Sequence, residues 1–521
     1  MVSINLFNWI LAFLPVILLL LLMTAFNWGG SKAGMLTWLA TQLIASIFFG
    51  ASFELLQYTY IKAFFLSLDV LLIIWGAMFL YQVTKRAGTI QIIGKFLAEL
   101  TESRAFLGIF LGWLFPSFLQ GMGGFGVPVA ISAPLLVSTG FSPTISIVMA
   151  SIGHGWGITF GSMGSSFKTL MAVTGLSAEY LAPYSALLLG ISSLFCGLLV
   201  IYLAGGRKQF LKALPLTLIT SLILSIGQYL LATNGLWIIA VTLPAMTALC
   251  FGFLYVRFFS KHSREYLHGI KGEERKKIIT ALLTYVLLVA LIIVFNFFSP
   301  IRELFAPYAI SFQIPKLSTS YGFVTPPETS KKINLLLHPG TVLSISALAS
   351  FLLLKKKAYL KGNELSEIVI DTFKSSLNTS TAIFSLVGTA VVMNHAQMTN
   401  VLALGISRVF SQEIYPIISP FIGALGAFIT GSNNNSNVLF GSLQLQTAEL
   451  LNLSTALILA AQTTGGSLGS IMAPAKVILG CSTVGLSGKE GTVIGKLILY
   501  SGTLILLAGI ITYIISGLID L

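Results

Sequence analysis

The sequence predicts an all-α polytopic membrane protein, with about 12–14 transmembrane spans or half-spans set in two inverted-topology repeats whose helices are interrupted or re-entrant. Three observations lead there. The chain of 521 residues is 55% hydrophobic and only 9% charged, and its mean hydropathy of +0.91 describes an apolar surface that water would not keep in solution. Apolar runs long enough to cross a hydrocarbon layer of about 30 Å as helices recur along its whole length. Two of them are broken at corresponding places, at Gly121-Met122-Gly123-Gly124-Phe125-Gly126-Val127-Pro128 and at Gly431-Ser432-Asn433-Asn434-Asn435-Ser436-Asn437.

In chain order, the apolar runs lie near 7–26, 34–51, 61–83, 105–120, 143–163, 181–204, 213–232, 235–256, 278–298, 335–354, 376–393, 415–430, 455–475 and 493–518, with shorter re-entrant pieces near 124–139 and 438–451. The first has no basic stretch before it and no small-x-small cleavage site after it, so it reads as a retained span. The formal charge of +13 would suggest nucleic acid in a soluble protein. Here the basic residues collect in loops at Lys85-Arg86, Arg207-Lys208, Arg257 to Lys277, and Lys355-Lys356-Lys357 with Lys361, which is the positive-inside pattern and implies no nucleic-acid partner. With those loops in the cytoplasm, the connection at 299–334 lies outside.

The two halves match at a nearly constant shift. Phe118 and Gly121 fall on Phe428 and Gly431 at 310, and Gly76, Ser142, Gly153 and Gly157 fall on Gly388, Ser454, Gly465 and Gly469 at 312. The first half starts outside near residue 57 and reaches Lys85-Arg86 inside, whereas the second leaves Lys361 inside and exits near Asn394, so the halves are inverted. The expected organisation is amino-terminal spans at 1–56, a first repeat at 57–205, and connecting spans at 206–366 that carry the basic loop 257–277 and the external loop 299–334. The second repeat follows at 367–521.

Several chemistries drop out. Gly121, Gly123 and Gly126 satisfy GxGxxG but lie between no strand and helix, and Gly485 to Lys489 lacks the first glycine of a phosphate loop, so no ATP-driven pump is indicated. Cys196, Cys250 and Cys481 sit in or beside apolar spans, without a CxxC metal site or a disulfide framework. The histidines at 154, 262, 268, 338 and 395 are scattered and form no nucleophile–base pair. We expect no enzyme activity, cofactor or metal.

Polar, irregular backbone at membrane depth is tolerated only where it is buried in protein or lines a watery cavity. The amides of Asn433, Asn434, Asn435 and Asn437, with Ser432, are therefore expected to bind a polar solute; a cap for the broken backbone is the plainer reading. Helix N-termini made by the break favour an anion. Glycine steps at 153, 157 and 161, and at 465 and 469, form small faces for close helix packing. Intramembrane ionisable groups are costly and default to function. Asp69 and His154 are the two candidates for proton exchange, and the residues do not choose between them. Lys168 and Lys476 hold comparable places beyond the two breaks and read either as interfacial anchors or as countercharges for an anion. Asp371 and Lys374 read as interfacial.

The stretches from Gly431 through Val438-Leu439-Phe440-Gly441, Ala461-Gln462-Thr463-Thr464-Gly465-Gly466-Ser467-Leu468-Gly469-Ser470, Ala473-Pro474-Ala475-Lys476 through Gly485, and Gly153-His154-Gly155-Trp156-Gly157 through Gly161-Ser162-Met163-Gly164 together resemble the L-lactate permease family. The resemblance covers nearly the whole chain and is weakest at 299–334 and in the amino-terminal span; Asn434 stands where many relatives carry threonine. It implies proton-coupled movement of L-lactate, glycolate and other short 2-hydroxy monocarboxylates across a prokaryotic plasma membrane. Together with the broken segments, it leads to an expected substrate-binding set of Ser432, Asn433, Asn434, Asn435, Asn437, Gln462, Gly123, Gly124, His154 and Lys476. A sodium-coupled di- or monocarboxylate carrier would share this architecture, and the sequence leaves room for a homodimer.

Overall fold

The computed structural model describes residues 5–519 except 27, 125, 306 and 331, so Phe125 of the first break lies outside the described residues. Two amino-terminal helices, α1 (Leu6–Thr24) and α2 (Gly30–Phe48), precede α3 (Phe53–Arg86), α4 (Thr89–Glu99), α5 (Arg104–Met122), α6 (Val127–Ser138), α7 (Pro143–Gly155), α8 (Gly161–Thr174) and α9 (Ala178–Thr233). The connecting region holds α10 (Thr242–Phe259), α11 (Lys261–Gly269), α12 (Gly272–Phe297), α13 (Ser299–Phe305) and α14 (Pro339–Lys356). Then come α15 (Glu364–His395), α16 (Met398–Val409), α17 (Tyr415–Thr430), α18 (Asn433–Leu450), α19 (Thr455–Ser470), α20 (Pro474–Thr483) and α21 (Glu490–Ile519). Among the described residues, nine helices are long and apolar enough to cross a membrane, with α6 and α17 as shorter apolar ones.

The series α3 to the first arm of α9 matches the series α15 to α21 element for element. Local signals repeat as well. Ser142 and Ser454 stand at the N-caps of α7 and α19, and Gly175 and Gly485 both adopt the left-handed conformation just past α8 and α20. The first helices of the two series lie side by side in opposite directions. Lys62 meets His395 (3.1 Å), Trp75 donates to Ser380 (2.8 Å), Gln82 to Ser375 (3.0 Å), and Arg86 pairs with Glu364 and Glu367. Partners that advance along one helix and retreat along the other make the repeats inverted.

The glycine steps act as expected. A Cβ on Gly153 would lie 1.9 Å from the Gly112 carbonyl, and one on Gly465 would lie 1.8 Å from that of Pro420, so α7 touches α5 and α19 touches α17 backbone to backbone. The extra helices dock at matched positions too, α14 on α3 at Gly76 and α2 on α15 at Gly388.

The basic loops gather at one end of the bundle. Arg86 binds the start of α15, α11 is fastened to Glu99 and Leu100 beyond α4, and Gln209 accepts from the Ala105 amide at the start of α5. The 299–334 connection is at the opposite end, where it forms a narrow hairpin pairing Ala309 with Asn334, Gln313 with Thr329 and Leu317 with Thr325. Its Glu328 is 2.6 Å from Lys62, near the outer start of α3. One expectation changes: no extended loop carries Arg207-Lys208, because the two helical arms of α9 meet at a sharp break at Gly206 (φ 60°, ψ −171°), just before these residues.

Candidate functional site

The second break is tighter than its composition suggests. Gly431 turns the chain with φ 73°, Ser432 is extended, and Asn433 already starts α18, so the amides form the first turns of a helix. Helical spacing puts Asn433 and Asn437 on one face. The Asn433 amide nitrogen donates to Thr159 Oγ1 (3.1 Å) and to the Thr463 carbonyl (3.2 Å), and that of Asn437 donates to the Ser166 carbonyl (3.0 Å) and Thr463 Oγ1 (3.0 Å). Asn434 Oδ1 accepts from Ser166. Gln462 works inside the second repeat: it donates to Ser436 Oγ (3.1 Å) and accepts from Gln444 (3.1 Å).

Thr159 and Ser166 flank the break between α7 and α8, so the tip of the second hairpin is seated on the broken helix of the first repeat. The converse contact exists. Gly126, at the tip of the first hairpin, faces Leu479 of α20, and Gly480 faces Val129 of α6. Gly124 donates to Ser162 Oγ (2.7 Å) and Gly123 lies beside Tyr81, apart from the amides. Ser162 and Met163 are held at φ 47° and 56°, a left-handed conformation that costs each of them about 1–3 kcal/mol and that persists where packing over-determines it.

A cavity of about 280 Å³ opens beside the second break. Three helices start at its wall: α2 from Gly29, α18 from Ser432 and α20 from Ala473, and none has a side-chain cap. The starts of α2 and α18 leave first-turn N–H groups without intrahelical partners, the start of α20, which opens on Pro474, leaves that of Ala475, and each carries a partial positive charge. Lys476 adds a full charge at the same wall, with its Nζ 3.1 Å from Ser470 Oγ. Ser432, Asn435 and Lys476 from the expected set thus meet in one anion-favouring cavity, while Asn433, Asn434 and Asn437 form a buried polar layer next to it. His154 is on α7, its Nδ1 2.7 Å from the Ala150 carbonyl and its Nε2 without a protein partner among the described residues. The part played by Gly29, Gly30 and Ser31 escaped the sequence reading, although a glycine pair opening an apolar helix was a visible start signal.

Asp69 and Lys168 turn out to be partners. The Asp69 carboxylate is buried, with Oδ2 3.0 Å from Lys168 Nζ and Oδ1 3.1 Å from His338 Nε2. His338 stands at the N-cap of α14 and its Nδ1 accepts from the Gly340 amide (3.1 Å), so Nε2 carries the proton given toward Asp69. His338 was one of five scattered histidines in the sequence, and nothing local marked it. The lysines beyond the two breaks therefore differ: Lys168 holds an internal carboxylate, whereas the position matching Asp69 is Thr381 and Lys476, a little short of the position that the repeat shift pairs with Lys168, lines the open cavity. Asp371 and Lys374 are exposed.

A second cavity of about 400 Å³, lined by Lys62, Glu328, Asn394 and Ser442, lies toward the hairpin end. The two cavities share no lining residue: on α18, Ser442 lines this one and Asn435 the Lys476 cavity.

Known proteins match this chain over most of its length. A family model described as L-lactate permease matches residues 8–519. The glycolate permease GlcA of Escherichia coli is 26% identical over 98% of this chain and 96% of its own, and the L-lactate permease of Bacillus subtilis is 28% identical over 85% and 84%. Among solved structures, the YdaH transporter of Alcanivorax borkumensis superposes with a TM-score of 0.54 at 13% identity, covering 94% of this chain and 99% of that one. MtrF of Neisseria gonorrhoeae gives 0.52 at 13% identity, covering 93% and 94%. At such identities these two speak for the fold alone.

Proposed function

From the premise that the chain belongs to the L-lactate permease family, we propose that it moves L-lactate and glycolate with a proton across the plasma membrane, and that the acid binds in the Lys476 cavity. The observation that carries this reading is the meeting of three uncapped helix N-termini with a lysine that has no carboxylate partner among the described residues. The carboxylate accepts from first-turn N–H groups and Lys476, and the 2-hydroxyl binds the Asn435 amide. The first repeat supports it by example, since the lysine beyond its own break already holds a carboxylate.

A monocarboxylate cannot cross a region of low dielectric as a bare anion, so it needs a fixed cation or a co-transported proton. Asp69 is our proton carrier. It is buried, and the charged or titratable groups acting on it are Lys168 from α8 and His338 at the start of α14. Rocking of one repeat against the other then breaks the Asn433–Thr159 and Asn437–Ser166 layer and exchanges one cavity for the other.

The test is radiolabelled L-lactate uptake by proteoliposomes with pH and sodium gradients imposed separately. An inward proton gradient should drive accumulation and a sodium gradient should not. Lys476→Gln should weaken lactate binding roughly 10- to 100-fold, as expected for losing a hydrogen bond to a charged group, and Lys476→Arg should keep part of it. Unchanged binding in Lys476→Gln would remove the cavity as the site.

A further inference from the structure

The segment between α10 and α12 carries a dense run of positive charge, and the fold gathers part of it around a cavity that shares no lining residue with the Lys476 cavity. Ser263 and Tyr266 fasten one side of α11 to the end of α4, Ser263 Oγ donating to the Leu100 carbonyl (2.5 Å) and Tyr266 to Glu99 (2.8 Å). Helical spacing then turns Arg264 and His268, four residues apart, to the other side. There Arg257 from the end of α10 and Arg275 from the start of α12 join them around about 350 Å³ of space.

Three nearby carboxylates are engaged elsewhere, Glu99 with Lys95 and Tyr266, Glu102 with His262, and Glu265 with Lys261, while Glu273 and Glu274 open α12 beside Arg275. Among the described residues no carboxylate forms an ion pair with Arg257, Arg264 or Arg275, so three guanidinium groups line one cavity without an ion-pair partner. A guanidinium fork matches phosphate oxygens in pairs. The rest of the wall is apolar, built from Phe96, Phe253 and Ile279, with the first two rings 5.8 Å apart. Phe258 and Phe259 close by are 70% and 75% exposed. A soluble phosphate would gain nothing from that wall, whereas a lipid would lay an acyl chain along it.

We propose that this cavity binds the headgroup of an anionic phospholipid from the leaflet at the basic end, with phosphate on the three arginines and an acyl chain against Phe96, Phe253 and Ile279. Basic pockets between membrane helices on the cytoplasmic side favour such lipids. The site ties α4, α10, α11 and α12 to the bilayer and stands apart from the Lys476 cavity.

Full-length protein purified with mixed lipid and observed by native mass spectrometry should keep phosphatidylglycerol in preference to phosphatidylcholine. Arg257→Gln, Arg264→Gln and Arg275→Gln together should weaken that retention about a hundredfold, and the matching lysine replacements should fall between. Undiminished retention in the glutamine variant would overturn the proposal. So would an equal loss on replacing Lys355, Lys356 and Lys357 with glutamine, which would reveal diffuse attraction. Displacement of the lipid by inorganic phosphate at equal concentration would assign the cavity to a soluble phosphate instead.

Discussion

Asp69, Lys168 and His338 show how a charge is kept inside a membrane protein. Taking both ions of a pair out of water costs several kcal/mol each, and the mutual attraction repays it only with good geometry and further hydrogen bonds. His338 supplies such a bond, 3.1 Å from Oδ1. Removing one partner should therefore hurt more than removing both. Lys168→Gln leaves an uncompensated buried carboxylate and should cost about 3–5 kcal/mol of stability, while adding Asp69→Asn should recover much of that; thermal unfolding of the purified variants in one detergent measures both. Asp69→Asn alone separates coupling from transport. It should retain lactate–lactate exchange across a membrane without a gradient and lose accumulation driven by pH. A variant that still accumulates lactate on a pH gradient would move the proton elsewhere, and His154, whose buried Nε2 has no hydrogen-bond partner among the described residues, is then the residue to replace.

The hairpin tip at Asn433–Asn437 is held by close backbone approach as much as by amides. A Cβ added to Gly466 of α19 would lie 2.0 Å from Asn433 Oδ1, the atom whose amide nitrogen reaches Thr159 and Thr463. Gly466→Ala should push the tip off its seat at the 1–3 kcal/mol cost usual for overpacking, and uptake should fall to a small fraction of wild type while the protein still inserts. Wild-type uptake in that variant would show that α18 has slack the geometry does not suggest. The left-handed Ser162 and Met163, against the same seat, mark the break in α8 as another place where strain is tolerated for function.

For the assembled bundle, alternating access requires some contacts to persist and others to part. The α3–α15 pairing, from Lys62–His395 to Arg86–Glu364, belongs to the inverted frame and should persist. The Ser166–Asn434 contact joins one repeat's hairpin to the other's broken helix and should part. With the free cysteines Cys196, Cys250 and Cys481 replaced, a disulfide between Gln82→Cys and Ser375→Cys should leave transport running. One between Ser166→Cys and Asn434→Cys should stop it until reductant is added. Arrest by the first pair, or indifference to the second, would assign the moving boundary differently.

Much of this protein was legible in its residues alone: the membrane setting, the inverted duplication, both breaks, the gathering of the basic segments at one end and the lysines beyond each break. Those features rest on hydropathy, helical periodicity, glycine and proline, which act over a few turns of chain and leave a local mark. Local signals failed where the partner was distant. Asp69, Lys168 and His338 come from three helices whose contact depends on α14 docking against α3 at Gly76, and Gly29 to Ser31 join Lys476 because α2 docks against α15 at Gly388. Which amides turn into the protein and which face a cavity was equally unreadable from the run of asparagines. A side chain's face follows from helical spacing, but what stands opposite follows from how close two backbones can come, and that was settled by packing between segments hundreds of residues apart.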